Sequence, residues 1–163
     1  MRTLVLGLGN PILRDDSVGL RVAQALRPIL DGVRGVEISE DYHGGLRLME
    51  RLVGYKRAII IDAIRSGAPI GSIHLLYPDD TPTRHSASSH DADLVTALEI
   101  GRRSGADLPR TEDVLLVAIE VADVETFGES LTPEVEAAIP SAMRAVQDAL
   151  AGAPGLVSGS AGR

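Results

Sequence analysis

"TLVLGLGNPILRDDSVGLRVAQALRPIL", residues 3–30, decides the fold. It opens on an apolar run, TLVLGLG (3–9), that ends in glycines. A short continuous apolar segment of this kind reads as a strand buried on both faces that leads into a tight turn. It closes on a stretch where Val18, Val22, Ala25, Leu26 and Ile29 recur at helical spacing, with Pro28 expected to bend or end the helix. Between the two lie Asn10, Pro11 and the adjacent aspartates Asp15 and Asp16. Strand, short loop and helix in that order form the first half of a parallel crossover unit.

The same alternation continues outward. VEIS (36–39), RAIIIDA (57–63), SIHLLY (72–77) and DVLLVAIEVA (113–122) read as strands, and GGLRLMERLVG (44–54) and DADLVTALEIGRR (91–103) as helices. PEVEAAIPSAMRAVQDALA (133–151) is a final helix, with Thr132 as its N-cap, Pro133 at its first position and a kink expected at Pro140. The order implies an α/β class: a three-layer α/β/α sandwich around a mostly parallel, twisted sheet of about five strands, with right-handed crossovers. Residues 1–151 are read as one domain and residues 152–163 as a disordered tail.

Composition agrees with this and excludes several functions. Hydrophobic residues make up 44% of the 163 but aromatics only 2%, so Val, Ile, Leu and Ala must pack the core. A net charge of -7 argues against a nucleic-acid backbone or an anionic membrane surface as the main partner. With no cysteine, disulfides, thiolate metal sites and a cysteine nucleophile are excluded, leaving carboxylate and imidazole as metal ligands. Neither a targeting segment nor an apolar stretch of membrane-spanning length is present, and the chain is read as cytoplasmic.

Open α/β sheets bind ligands at the carboxyl ends of their strands. Asp15 and Asp16 lie in the loop leaving the first strand, Asp62 ends the IIID run, and His90 lies in the loop leaving SIHLLY, so all could face one crevice. Each has an ordinary structural reading as well. One aspartate could cap the helix, Asp62 could make a structural hydrogen bond, and His90 could be a plain loop histidine. Together, two carboxylates and an imidazole on three loops form an open site suited to a divalent transition metal and to hydrolysis. A dinucleotide fingerprint is only weakly suggested, because GxGxxG needs glycine where Ile12 stands and Pro11 removes an amide donor. No HExxH or GxSxG occurs. Of the remaining histidines, His85 is in the polar loop, His74 is within a strand, and His43 precedes Gly44 at the end of the second strand, where it could join the crevice.

"VLGLGNPILRDDSVGLRVAQAL" resembles the opening motif of the nickel-iron hydrogenase maturation endopeptidases, in which GxGN is followed by an acidic pair and glycine. "IIIDAIRSG" (59–67) is similar to that family's second acidic motif, "SSHDADL" (88–94) to its histidine motif, and "FGESLTPEVEAAIPSAM" (127–143) to its final segment. The resemblance implies metal ligation by Asp16, Asp62 and His90, which are also the candidate catalytic residues. Gly7, Gly9, Asn10, Asp15, His43 and Gly44 complete the site as candidate substrate contacts. It departs from the family pattern at Asp93, where a small residue is common, and at Asp16, where some members carry glutamate.

The activity implied is removal of a C-terminal extension from the nickel-loaded large-subunit precursor of a nickel-iron hydrogenase by a monomeric enzyme. Nickel would be presented by the precursor, with another divalent metal able to substitute in isolation. Lewis-acid polarisation, metal-bound water and a carboxylate general base are all compatible with these residues. Two alternatives stay open: a non-catalytic metal-sensing docking chaperone, and a metal-dependent peptidase acting on another substrate.

Overall fold

Runs of Val, Ile and Leu uninterrupted by polar residues have to be covered on both faces. Such runs form the centre of a five-stranded sheet in the computed structural model, which describes residues 1–42, 45–78 and 94–152. The strands are β1 (Thr3–Leu8), β2 (Val36–Asp41), β3 (Arg57–Ile64), β4 (Ile73–Leu76) and β5 (Val114–Glu120), in the order β2-β1-β3-β5-β4. Every residue of β1 and β5 is buried.

Four helices cover the sheet: α1 (Val18–Leu30), α2 (Gly45–Leu52), α3 (Leu94–Arg103) and α4 (Pro133–Ala151). The period of two along each strand divides the core into two layers. On one face Val5, Ile59, Ile61, Val117 and Ile119 pack with Val18, Val22 and Leu26 of α1 and Val135, Ala142 and Val146 of α4. On the other, Leu4, Leu6, Leu8, Ile60 and Leu116 pack with Leu48 and Leu52 of α2 and Leu94 and Leu98 of α3. Each of these aliphatic side chains contributes about 1.5–3 kcal/mol when fully buried. The expected three-layer architecture is therefore present.

The directions of the strands carry one correction with functional weight. β1 is parallel to β2 and β3, and β3 to β5, but β4 is antiparallel to β5. Residues 65–72, which join β3 to β4, contain no helix and are too few for a parallel crossover, which takes a dozen or more. The link instead bends across the carboxyl end of β5, where the Gly71 N–H donates to the Glu120 carbonyl (2.8 Å) and the Glu120 N–H to the Ser72 carbonyl (2.9 Å). β4 then runs back toward the amino edge of the sheet, with Ile73 opposite Ile119 and Leu76 opposite Leu116.

Both internal prolines lie within their helices. α1 ends at Leu30, two residues after Pro28, and α4 continues through the exposed Pro140 to Ala151. Thr132 does occupy the N-cap position of α4, followed by Pro133. Beyond Gly152, the tail expected at the C-terminus lies outside the described residues. Among the described residues, no helix is long and apolar enough to cross a membrane.

Candidate active site

β1 lies between β2 and β3, and the chain leaves it in one direction through α1 and returns on its other side through α2. With α1 on one face of the sheet and α2 on the other, the carboxyl ends of β1 and β3 form a topological switch point, where such sheets open a crevice. The register shows where the strands part. Pairing between β1 and β3 ends at Gly7 and Ile61, and Asp62 is the next residue of β3.

Glycines let the first turn of α1 press on this seam. A Cβ on Gly19 would lie 2.3 Å from the carbonyl oxygens of both Leu8 and Ile61, and one on Gly7 would lie 2.4 Å from the Gly19 carbonyl oxygen. Gly9 adopts a φ of +156°, and a Cβ there would lie 2.1 Å from the Asp16 carbonyl oxygen. The glycine turn is thus a close-packed seat for the helix, and this close approach accounts for Gly7 and Gly9 without a substrate contact.

The loop itself closes on Asp16. The Asn10 N–H donates to Oδ2 of Asp16 (2.9 Å), Oδ1 of Asn10 accepts the Ile12 N–H (3.1 Å), and the Asn10 carbonyl accepts the Leu13 N–H (3.2 Å). Asp16 is 8% exposed. Asp15, Asp16 and Ser17 form a single 3-10 turn that packs against β3. Neither aspartate caps α1. The N-cap residue is Ser17, whose hydroxyl donates instead to the Arg14 carbonyl (2.7 Å).

The two adjacent aspartates do different work. Asp15 is completely buried, and its carboxylate accepts the N–H groups of Ala122 (3.1 Å), Asp123 (2.9 Å) and Thr132 (2.8 Å) together with the Thr132 hydroxyl (2.8 Å). Its own N–H donates to the Asp123 carbonyl (2.8 Å), and Leu13 forms a bridge with Phe127. Asp15 therefore fastens the loop after β1 to the segment after β5, and the geometry gives it an anchoring role rather than the substrate contact expected of it. Sequence could not reveal this, because its partners lie more than 100 residues away. The same bonds divert the Thr132 hydroxyl from the N-terminal amides of α4, so Thr132 caps by position only.

Asp62 is 3% exposed, and its Oδ1 accepts the N–H of Ala63 (2.8 Å). By strand alternation it faces the α2/α3 side, as Ile60 does. Asp16 and Asp62 thus approach the β1/β3 seam from two different segments. His90 lies outside the described residues, as do His43 and Gly44. β4 is antiparallel to β5, so its end at Leu76 lies at the amino edge of the sheet, away from Asp62. The C-terminal end of α3 leads to Asp107, a partner of Gly54 at the amino edge (2.8 Å). Leu94, at the opposite end of α3, is buried on the face toward which Asp62 points and follows His90 by four residues. Among the described residues, no three histidine or acidic side chains come together as a metal site.

Sequence reading passed over one polar cluster. Glu120, 1% exposed at the end of β5, accepts the N–H of Ser66 (2.8 Å) and the Ser66 hydroxyl, and lies 3.1 Å from Nε2 of His74. Burial pushes its carboxyl pKa up, but the hydrogen bonds from Ser66 and His74 outweigh burial and hold it below the usual carboxylate value. The signal was present, since Glu120 terminates an apolar run just as Asp62 does.

Comparison with known proteins places the chain in a family. A family model for hydrogenase maturation protease matches residues 21–149, a range that contains Asp62 and His90 and begins just after the acidic pair. The hydrogenase 2 maturation protease of Escherichia coli (strain K12) is 34% identical over 156 residues, covering 92% of this chain and 91% of that protein. The hydrogenase expression/formation protein HoxM of Azotobacter vinelandii is 28% identical over 151 residues, 91% of this chain and 72% of its own length. Among solved structures, the hydrogenase maturating endopeptidase HybD from E. coli superposes with a TM-score of 0.77 at 32% identity, covering 93% of each chain. The [NiFe] hydrogenase maturation protease HybD from Thermococcus kodakarensis, at 23% identity and a TM-score of 0.70 over 91% of this chain and 98% of that one, shares the fold. A family model that matches most of the chain and a relative 34% identical over nearly its whole length lead to one conclusion: the chain belongs to the hydrogenase maturation protease family and is an endopeptidase.

Proposed function

We propose that this endopeptidase removes a C-terminal extension from the large-subunit precursor of a nickel-iron hydrogenase, acting as a monomer in the cytoplasm. The nickel arrives as part of the substrate, and Asp16, Asp62 and His90 supply ligands to it. The observation that supports the proposal is the burial of two carboxylates, Asp16 in the turn that packs against β3 and Asp62 one residue beyond the last β1/β3 pair. Oxygen donors from separate elements, with an imidazole four residues before α3, suit a divalent ion whose other positions are filled by the precursor.

Such an ion supplies Lewis acidity toward a peptide carbonyl. The protein's part is to hold the donors and orient the substrate. The Asn10 N–H fixes one oxygen of Asp16, and Ala63 fixes one oxygen of Asp62, so the carboxylates are oriented before substrate arrives. Asn10, half-buried at the lip of the crevice, is proposed to contact the tail, as are His43 and Gly44, which follow β2. Because the metal enters with the precursor, the site is complete only when a loaded precursor docks, which makes cleavage conditional on metal insertion.

The test is mass spectrometry of a nickel-loaded large-subunit precursor incubated with the wild type, Asp16→Asn or His90→Ala, beside a nickel-free control. Loss of a C-terminal peptide only with wild type and loaded precursor supports the proposal. A precursor that binds but stays intact would instead indicate a docking chaperone.

A further inference from the structure

The only phenylalanine in the chain, Phe127, is 76% exposed. Ile12, on the segment paired with it, is 55% exposed, and the adjacent Pro11 is exposed as well. Single apolar side chains at a surface are ordinary, but these three are gathered and held. Leu13 and Phe127 form an antiparallel bridge, flanked by bonds from the Arg14 N–H to the Thr126 carbonyl (3.0 Å) and from the Gly128 N–H to the Ile12 carbonyl (2.9 Å). That pattern makes Leu13 and Phe127 a non-hydrogen-bonded pair, the kind whose side chains approach most closely. Asp123 fixes the turn ahead of Phe127 by accepting the N–H groups of Glu125 (3.1 Å) and Thr126 (2.9 Å), and Asp15 fastens the two segments together from below.

This ribbon belongs to the loop that carries Asp16. The Ile12 N–H donates to Oδ1 of Asn10 (3.1 Å), and the Asn10 N–H donates to Oδ2 of Asp16 (2.9 Å), so two hydrogen bonds connect the exposed segment to a candidate metal ligand. A folded partner whose metal reaches Asp16 brings its own surface to the ribbon. Beside Pro11 a cavity of about 180 Å³, lined also by Leu20, Arg21 and Glu129, has room for a partner side chain. A projecting aromatic next to an open hollow is the anatomy of an interface centre. A side chain three-quarters exposed stands out from the surface instead of lining a groove, so it suits a folded surface rather than an extended tail.

Resting on the function proposed above, we infer that Ile12 and Phe127 dock the folded body of the large-subunit precursor, upstream of the scissile bond, with the cavity beside Pro11 taking an apolar side chain from it. Glu125 and Glu129, exposed on either side of Phe127, favour basic residues at the rim of the matching patch. Because the ribbon is fixed beforehand, docking spends little on ordering it, and the contact adds affinity without touching the bond that is cut.

The test is steady-state cleavage of nickel-loaded precursor, with folding checked by thermal unfolding. Phe127→Ser should raise KM about tenfold and Ile12→Ser about fivefold, with kcat within about twofold. Ile29→Ser is the control: Ile29 is 47% exposed but lies near the end of α1, at the amino edge of the sheet, and its loss should leave KM unchanged. A photo-reactive benzoylphenylalanine in place of Phe127 should cross-link to the precursor upstream of the scissile bond. This arm keeps an aromatic ring at the position and so stands even if Phe127→Ser fails to fold. An unchanged KM in folded Phe127→Ser, a loss confined to kcat, or a cross-link confined to the C-terminal extension or to a second copy of this chain would overturn the inference. Failure of the wild type to cleave any loaded precursor would instead overturn the function on which it rests.

Discussion

Gly19, in the first turn of α1, lies against Ile61 of β3 so closely that a methyl group on its Cα would be 2.3 Å from the Ile61 carbonyl oxygen. Neither backbone can yield without opening the seam that Asp16 and Asp62 flank. Gly19→Ala should destabilise the protein by about 3 kcal/mol, lowering Tm by roughly 6–12 °C. Gly32→Ala is the control. No atom lies within 4 Å of its Cβ position, and only the positive φ of +83° resists, at about 1 kcal/mol. Thermal unfolding of the two variants side by side checks the contrast.

The anchor between Asp15 and Thr132 makes a second prediction. Asp15→Ala strands three amides in a buried site and should cost about 3 kcal/mol in urea unfolding, whereas Thr132→Val, which removes one hydroxyl, should cost about 1 kcal/mol. Since the two residues share a bond, the double variant should lose less than the sum of the singles.

Activity should separate the adjacent aspartates. Asp16→Asn and Asp62→Asn are expected to reduce single-turnover cleavage by about 100-fold or more with folded circular-dichroism spectra. Asp15→Asn should show its main defect in stability instead. Equal loss of cleavage without loss of stability in Asp15→Asn would return that residue to the substrate site.

Glu120 sets part of the acid limit of stability. Its folded pKa is below the usual carboxylate value near 4.5, so its contribution is fully present above that value and is lost as pH falls through the folded pKa. The urea midpoint of the wild type should therefore drop as pH is taken from 6 to about 3. Glu120→Gln should drop less steeply over the same range, starting from a lower midpoint.

Much of this was legible in the sequence because the aliphatic runs left few alternatives. RAIIIDA reads as a central strand, which β3 is, and a carboxylate at the end of such a run marks a place where charge is needed, the reason Asp62 is a candidate. Glu120 carries the same mark, at the end of β5. The direction of β4 follows from the shortness of residues 65–72 rather than from the strand's composition, so its end lies at the amino edge of the sheet. The division of labour between Asp15 and Asp16 was not readable at all, since adjacent identical residues differ only in which distant backbone they meet.

The dependence of the β1 loop on Thr132 also orders events in the life of the chain. Asp15 is synthesised more than 100 residues before the amides that hold it, which lie just ahead of α4. Contacts this remote form late, after loop closure has been overcome. A nascent or truncated chain could carry both candidate ligands Asp16 and Asp62 and still lack the clamp that sets the loop of Asp16. That loop would thus stay loose until synthesis has passed Thr132.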